Sequence, residues 1–312
     1  MQDYIVGIGA ANIDLNGVSH ASIRMHDSNP GSIRLSAGGV TRNVLDNASR
    51  LGASVKLLSA VGADAFGDQI LRESREAGID VSHIWRSREH SSSIYLSLLD
   101  PDGEMFVAMS DMSIIQTSFP GEYLAENRSL IQNAKIVMCD PCIREQMLET
   151  LLSLCDSGQI LCVDPVSCAY ARVLAPYIGR FHTAKPNRME LEILSGIPVE
   201  TDRDLQAAGE LLLGKGLRRL FVSLGAEGCF YMDAEGRVLR RRLRPVLHMT
   251  NASGAGDAFT GAMLYATLQG ESPERTLDLA LAAGIAALSH PNTINPSMSV
   301  SLLESILKEY QV

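Results

Sequence analysis

The chain has 312 residues, and 27 Lys+Arg against 36 Asp+Glu give a net charge of −9. With 46 % hydrophobic and 20 % charged side chains it is no disordered chain, and its acidic balance argues against a surface for a nucleic-acid polymer. No run supplies the roughly 18 apolar residues of a membrane span. The opening MQDYIVGIGA lacks the basic region of a secretory signal, so a cytoplasmic, reduced setting is the expectation.

Residues 4–8 form an apolar run bounded by glycine, which predicts a buried parallel strand. The polar stretch 13–37 turns at Asn29-Pro30-Gly31 and then alternates in the β manner through Ser32-Ile33-Arg34-Leu35-Ser36. A glycine-to-helix junction follows at 38–48, then a strand at 55–61 and a helix at 64–77. Residues 90–113 alternate on both sides of Asp100-Pro101-Asp102-Gly103, a hairpin signal. A strand at 135–139, a helix at 144–155, a strand at 160–163, a helix at 202–213 and a strand at 220–224 continue the alternation. From Gly254 onward the pattern is helical. Short hydrophobic strands between helices imply βαβ units and a mostly parallel sheet covered on both faces. The expectation is one unit over 1–312, with segments 13–37 and 90–113 inserted as a small β-sheet lid. The exposed edges of such a lid suit a second copy of the chain.

Several nucleotide and metal motifs fail. Gly7-Ile8-Gly9-Ala10-Ala11-Asn12 begins like a dinucleotide fingerprint but ends in Asn, with no helix after it. Residues 209–216 fit GxxxxGK, yet Gly216 stands where Ser or Thr is required and the interior is helix-forming Leu. Cys139-Asp140-Pro141-Cys142 has neither a second pair nor histidines at metal spacing, so these thiols read as buried. The basic run at Arg240, Arg241, Arg242 and Arg244 reads as the wet face of a strand.

The strongest local feature is Asn251-Ala252-Ser253-Gly254-Ala255-Gly256-Asp257, followed by a helical pattern. Small residues let consecutive N–H groups approach an anion, and the helix start adds its positive dipole end. Asp257 falls in the first turn, either as a proton acceptor beside that cradle or as a stabiliser of the helix start. Gly39 and Asn43 sit in a second glycine-to-helix junction. Asn12 and Asp14 lie just beyond the first strand, where α/β sheets bind ligands, and suit sugar hydroxyls or ordinary turn chemistry. Asn187 and Glu190, three apart, can hold a hydrated magnesium or form a capping box. Ser223, Gly225 and Gly228 end a strand, either admitting a flat ligand or making a turn.

The order of these motifs resembles the ribokinase-like (PfkB) carbohydrate and nucleoside kinases essentially end to end. Within that family the wording is similar to the branch acting on pseudouridine. The phrases concerned are Asp27-Ser28-Asn29-Pro30-Gly31, SSIYLSLLDPDGEM with Asp111-Met112, Asp164-Pro165-Val166-Ser167, and His182-Thr183-Ala184-Lys185-Pro186-Asn187-Arg188. The resemblance implies a three-layer α/β/α sandwich with a β lid and ATP-dependent phosphorylation of a ribosyl 5′-hydroxyl. It implies Asp257 as base, Gly254, Ala255 and Gly256 as anion hole, and Asn187 and Glu190 organising Mg²⁺ on ATP. Ser223, Gly225 and Gly228 then line the nucleotide site, and Asn12, Asp14, Gly39, Asn43 and Asp140 grip the ribose. Ribose, fructose or an ordinary nucleoside are the alternative substrates, and a non-catalytic sugar- or nucleotide-binding protein is the alternative class. Many members begin the last motif with Asp, which helps bind a monovalent cation; Asn251 has lost that charge, and no potassium site is expected.

Overall fold

The computed structural model describes residues 3–156, 158–244 and 253–310, so Asn251 lies outside the described residues. In chain order the strands begin with β1 (Ile5–Ile8), β2 (Asn12–Ser19), β3 (Gly31–Gly38), β4 (Val55–Leu58), β5 (Ala60–Gly62), β6 (Trp85–Ser87), β7 (Ser93–Leu99) and β8 (Met105–Asp111). They continue with β9 (Ile136–Cys139), β10 (Ile160–Val163), β11 (Thr183–Ala184), β12 (Arg219–Ser223), β13 (Cys229–Asp233) and β14 (Val238–Arg241).

The main sheet has eight strands in the order β14-β13-β12-β11-β10-β9-β1-β4. Pairing from β12 through β4 is parallel, and only the β12–β13 and β13–β14 pairings at one edge are antiparallel. Its central strands are unbroken apolar runs because both faces are covered. Successive side chains divide between two cores. Val6, Val137, Cys139 and Val163 pack with Leu148, Leu191, Leu205 and Leu212. Ile5, Ile136, Met138 and Cys162 pack with Leu45, Ile70, Phe259 and Leu277. Each fully buried Ile or Leu contributes about 1.5–3 kcal/mol, so the sheet is fixed from both sides.

One departure from the expected elements has a clear cause. The strand expected at 55–61 divides at Ser59, whose buried hydroxyl donates to the Gly9 carbonyl at 2.6 Å. Beyond it, β5 leaves the main sheet to pair with β6. The basic run joins a β13–β14 hairpin at the edge, where Arg240 pairs with Asp202 and Glu227, and Arg241 with Asp278.

The second sheet, β3-β2-β7-β8, is the expected lid. Its cross-strand register sorts side chains cleanly onto two faces. One face carries the rows Leu35–Leu15–Leu96–Met109 and Ile33–Gly17–Leu98–Val107. The other carries Ser36–Asp14–Tyr95–Ser110 and Arg34–Asn16–Ser97–Ala108. The apolar rows stay open to solvent, with Ile33 and Met109 both 71 % exposed.

The helix Ala255–Leu268 is wrapped almost all round, with Ala258, Phe259, Ala262, Met263 and Ala266 all buried. It lies against helix Val40–Arg50 at Gly261, where an added Cβ would come within 2.7 Å of both the Asn47 Cβ and the Val44 carbonyl oxygen. That close approach brings the first turns of the two helices together.

Candidate active site

The carboxyl ends of neighbouring parallel strands supply one crevice, as α/β sheets do. β1 leads into Asn12 and the lid, β10 into Asp164, β11 into Lys185, and β12 into the turn containing Gly225 and Gly228. Facing them is the start of helix Ala255–Leu268, capped by Gly254 in the left-handed region at φ 81°. A Cβ on Gly254 would lie 2.2 Å from the Thr293 carbonyl oxygen, so only glycine fits. The first hydrogen bond into this helix runs from Ala258 N–H to the Gly254 carbonyl. The N–H groups of Ala255, Gly256 and Asp257 precede that ladder and are available to an anion.

Asp257 is only partly exposed, and its Oδ2 accepts from Asn43 Nδ2 at 2.9 Å across the two-helix junction. Burial pushes its carboxyl up to about 7. The Asn43 donor pulls it back down, Asp164 pushes it up again, Lys185 opposes, and Asp14 adds a further small rise. Asp14 itself is raised, chiefly by burial, against the Asn12 hydrogen bond and the Arg42 charge. Asn12 Nδ2 donates to Asp14 Oδ1 at 2.7 Å, and the Asp14 carboxylate lies over Gly38, whose added Cβ would sit 2.3 Å from Oδ2. Gly39 begins helix Val40–Arg50 at φ 99°. Thus Asp257, Asn43, Asn12, Asp14 and Gly39 come together where the lid meets the body.

On the other flank, the Asn187–Glu190 pair forms a reciprocal capping box at the start of helix Arg188–Ser195. Asn187 Oδ1 accepts from Glu190 N–H at 2.9 Å and Glu190 Oε2 accepts from Asn187 N–H at 2.8 Å. Burial, followed by Asp164, raises Glu190 above the usual carboxylate range. Ser223 pairs with Asn187 through an isolated bridge, which brings the β12 turn beside it. In that turn Gly225 has φ 58°, with open space where a Cβ would stand. Gly228, by contrast, is required by the Arg241 carbonyl 2.1 Å from its missing Cβ, a packing demand of the hairpin.

Asp140, expected to grip the ribose, is fully buried and committed to the scaffold. Its Oδ2 accepts from Ala10 N–H, Thr41 N–H and Thr41 Oγ1, and its Oδ1 from Cys142 N–H. It ties the turn after β1 to the start of helix Val40–Arg50 and does not face the crevice.

Two site residues escaped the motif reading. Lys185, 4 % exposed, pairs with Asp164 Oδ2 at 3.1 Å, and Thr260 Oγ1 donates to the same oxygen. Burial would lower Lys185, but Asp164, Glu190 and Asp257 outweigh it and hold the amine above its usual range. The result is one buried cation beside Gly256, whose missing Cβ lies 3.5 Å from Nζ. A polar residue directly after an apolar strand is the signal that marks both. Val166, just beyond, holds a left-handed φ of 67° and donates its N–H to Asp164 Oδ1 at 3.0 Å, strain of the kind that gathers at sites.

Among the described residues no group of three or more His, Cys, Asp or Glu could hold a metal by itself, and all six cysteines are free. The carboxylate and amide oxygens of Glu190 and Asn187 are hard donors with lone pairs to spare, a set that suits Mg²⁺ shared with phosphates and water. Chemically, the crevice offers a carboxylate base, a helix-end anion cradle and a buried cation. Asp257 takes up its proton as pH drops below about 7, so a reaction that needs its carboxylate should slow there. Asn43→Ala removes the donor that favours the carboxylate, so the acid limb of its pH–kcat profile should move upward. A limb that stays put in that variant would contradict this electrostatic reading.

The chain matches the pfkB family of carbohydrate kinases over residues 2–300. It is 36 % identical over 308 residues to the pseudouridine kinase of Escherichia coli (strain K12), covering 98 % of this chain and 97 % of that protein. It is also 32 % identical over 299 residues to the uncharacterised sugar kinase YeiI of the same organism, covering 96 % of this chain and 82 % of that one. The structure of Arabidopsis thaliana ribokinase complexed with ribose and ATP superimposes with a TM-score of 0.86 at 21 % identity, covering all of both chains. The fold is therefore ribokinase-like. The chain belongs to the pfkB carbohydrate kinase family and is a phosphotransferase that uses an alcohol group as acceptor.

Proposed function

We propose that this chain, acting as one catalytic unit, transfers the γ-phosphoryl group of ATP to the 5′-hydroxyl of pseudouridine. The observation that carries this reading is Asp257, held by Asn43 at the mouth of an open helix N-terminus. The 36 % identity to a pseudouridine kinase supports the substrate. Asp257 accepts the hydroxyl proton as the 5′-oxygen forms its bond to the γ-phosphorus and the bond to the β,γ-bridging oxygen breaks, releasing ADP. The transition state is loose, so positioning and charge stabilisation matter more than the strength of the base. The N–H groups at Ala255 and Gly256 and the Lys185 ammonium serve the transferring phosphoryl oxygens. Asn187 and Glu190 would hold Mg²⁺ together with ATP, where the ion would supply neutralisation of phosphate charge. Ser223, Gly225 and Gly228 border the nucleotide.

Asn12, Asp14, Gly39 and Asn43 suit ribose hydroxyls. The lid face bearing Asp14 also carries Ser36, Tyr95 and Ser110 in one cross-strand row, groups able to stack on and hydrogen-bond a base. Ser93 Oγ, buried near the hinge of that face, has no partner, which favours a polar ligand there. A second reading, phosphorylation of another sugar or nucleoside, is favoured by the 32 % identity to YeiI. ADP release measured with pseudouridine, uridine, ribose and fructose separates the two. Pseudouridine should give the highest kcat/KM, and Asp257→Ala should lose turnover by more than about a hundredfold while still binding ATP. Preference for a free sugar would overturn the substrate, and near-parental turnover in the variant would overturn the mechanism.

The open apolar rows of the lid suit the matching rows of a second copy, packed about a twofold axis. A cytoplasmic setting fits the six free cysteines. Sedimentation should give a dimer that Met109→Glu with Leu96→Glu converts to monomer. A monomeric parent protein would refute the interface.

A further inference from the structure

Arg42 is a buried cation one residue from Asn43, and its guanidinium reaches in four directions, one of them from Nε to Ser74 Oγ at 3.4 Å. It is 4 % exposed, and Nη2 pairs with Asp46 Oδ2 at 2.7 Å. Nη1 donates to Asn43 Oδ1 at 3.2 Å and to the Ala37 carbonyl at 3.3 Å. Ala37 lies near the end of β3, the strand returning from the lid, and its N–H donates to Glu73 Oε2 at 2.8 Å. Asn43 Nδ2 in turn donates to Asp257 Oδ2.

An asparagine amide has one accepting and one donating end, and only one orientation satisfies both neighbours. With Oδ1 on the guanidinium and Nδ2 on the carboxylate, both contacts attract. Flipped, donor would meet donor at Arg42 and acceptor would meet acceptor at Asp257. The guanidinium therefore selects the orientation that keeps a donor on Asp257. The same group grips the lid strand, so movement at Ala37 is felt at the amide.

We propose that Arg42 is a positioning residue for phosphoryl transfer, holding the Asn43 amide with its nitrogen toward Asp257 and coupling that orientation to the lid through Ala37. The inference rests on Asp257 being the base. The other charged groups facing Asp257 are Asp164 and Lys185 from the ends of β10 and β11 and Asp14 from β2; none is substituted in the test, and Arg42→Lys keeps the charge that acts on Asp14.

Two variants separate positioning from folding. Arg42→Lys keeps a cation for Asp46 but loses the planar fork that serves Asn43 and Ala37 together. Arg42→Met with Asp46→Leu removes the buried pair and leaves Arg50, the second partner of Asp46 and 26 % exposed, to turn to solvent. Each is measured for Tm, kcat, the two KM values and the pH–kcat profile, beside Asp257→Asn. Expected is a loss in kcat of roughly tenfold or more with ATP KM unchanged, and an acid limb displaced upward while Tm stays near that of the parent protein. A folded variant with parental kcat and limb overturns the inference, as does a kcat loss that follows Tm with the limb unmoved. Should the double variant fail to fold, Arg42→Lys decides by the same readouts. If Asp257→Asn retains turnover, the base assignment itself fails; if it is inactive while the Arg42 variants are parental, only the Arg42 inference falls.

Discussion

The proposed chemistry depends on two helix N-termini meeting closely enough for Asn43 to reach Asp257. The contact spans 214 positions in sequence, and it is permitted by the missing side chain at Gly261. The approach has two consequences that pull against each other. It removes water from Asp257 and so raises the carboxyl toward neutrality. It also delivers the amide donor that favours the charged form. The balance leaves a group near 7, where a base can accept a proton and release it again under ordinary conditions.

Charge is arranged around Asp257 with economy. Asp164 and Glu190 face each other across Lys185, and the lysine keeps its proton because three carboxylates surround it. A chain with a net charge of −9 need not repel phosphate, because at the proposed site an anion would meet backbone N–H groups, a helix end and a buried ammonium. The acidic residues that set the overall sign are partly those that serve the site. Opposite them, the two-faced lid presents polar rows to the crevice and apolar rows outward, a division fixed by the period-two register of its strands.

Much of this was legible in the sequence. The apolar runs at 5–8 and 160–163 are buried strands, the Asp100–Gly103 turn closes a lid hairpin, and the glycine-rich segment before Asp257 does open a helix. Where two local readings of Asn187 and Glu190 competed, the capping box is the one present, and it leaves lone pairs over. The misses share a physical cause. Asp140 has the residue type and strand-end position of a ligand group, but whether a strand-end carboxylate faces the crevice or the scaffold depends on Thr41 and Ala10, neighbours supplied by tertiary packing. Arg42 was hidden for the same reason, since its pairing with Asp46 appears only once the helix is folded, whereas Lys185 carried a signal in its place directly after a strand. Ser59 broke an expected strand because its hydroxyl found the Gly9 carbonyl, a bond that hydrophobic periodicity cannot register.

The central claim is that one carboxylate and one helix end act on the same hydroxyl and phosphoryl group. A crystal structure of the chain with pseudouridine, Mg²⁺ and a non-hydrolysable ATP analogue tests this most directly. The 5′-oxygen should lie within hydrogen-bonding reach of Asp257, about 2.6–3.2 Å, with the γ-phosphate against the N–H groups of Ala255 and Gly256. A 5′-hydroxyl turned away from Asp257, or a γ-phosphate bound elsewhere, would contradict it.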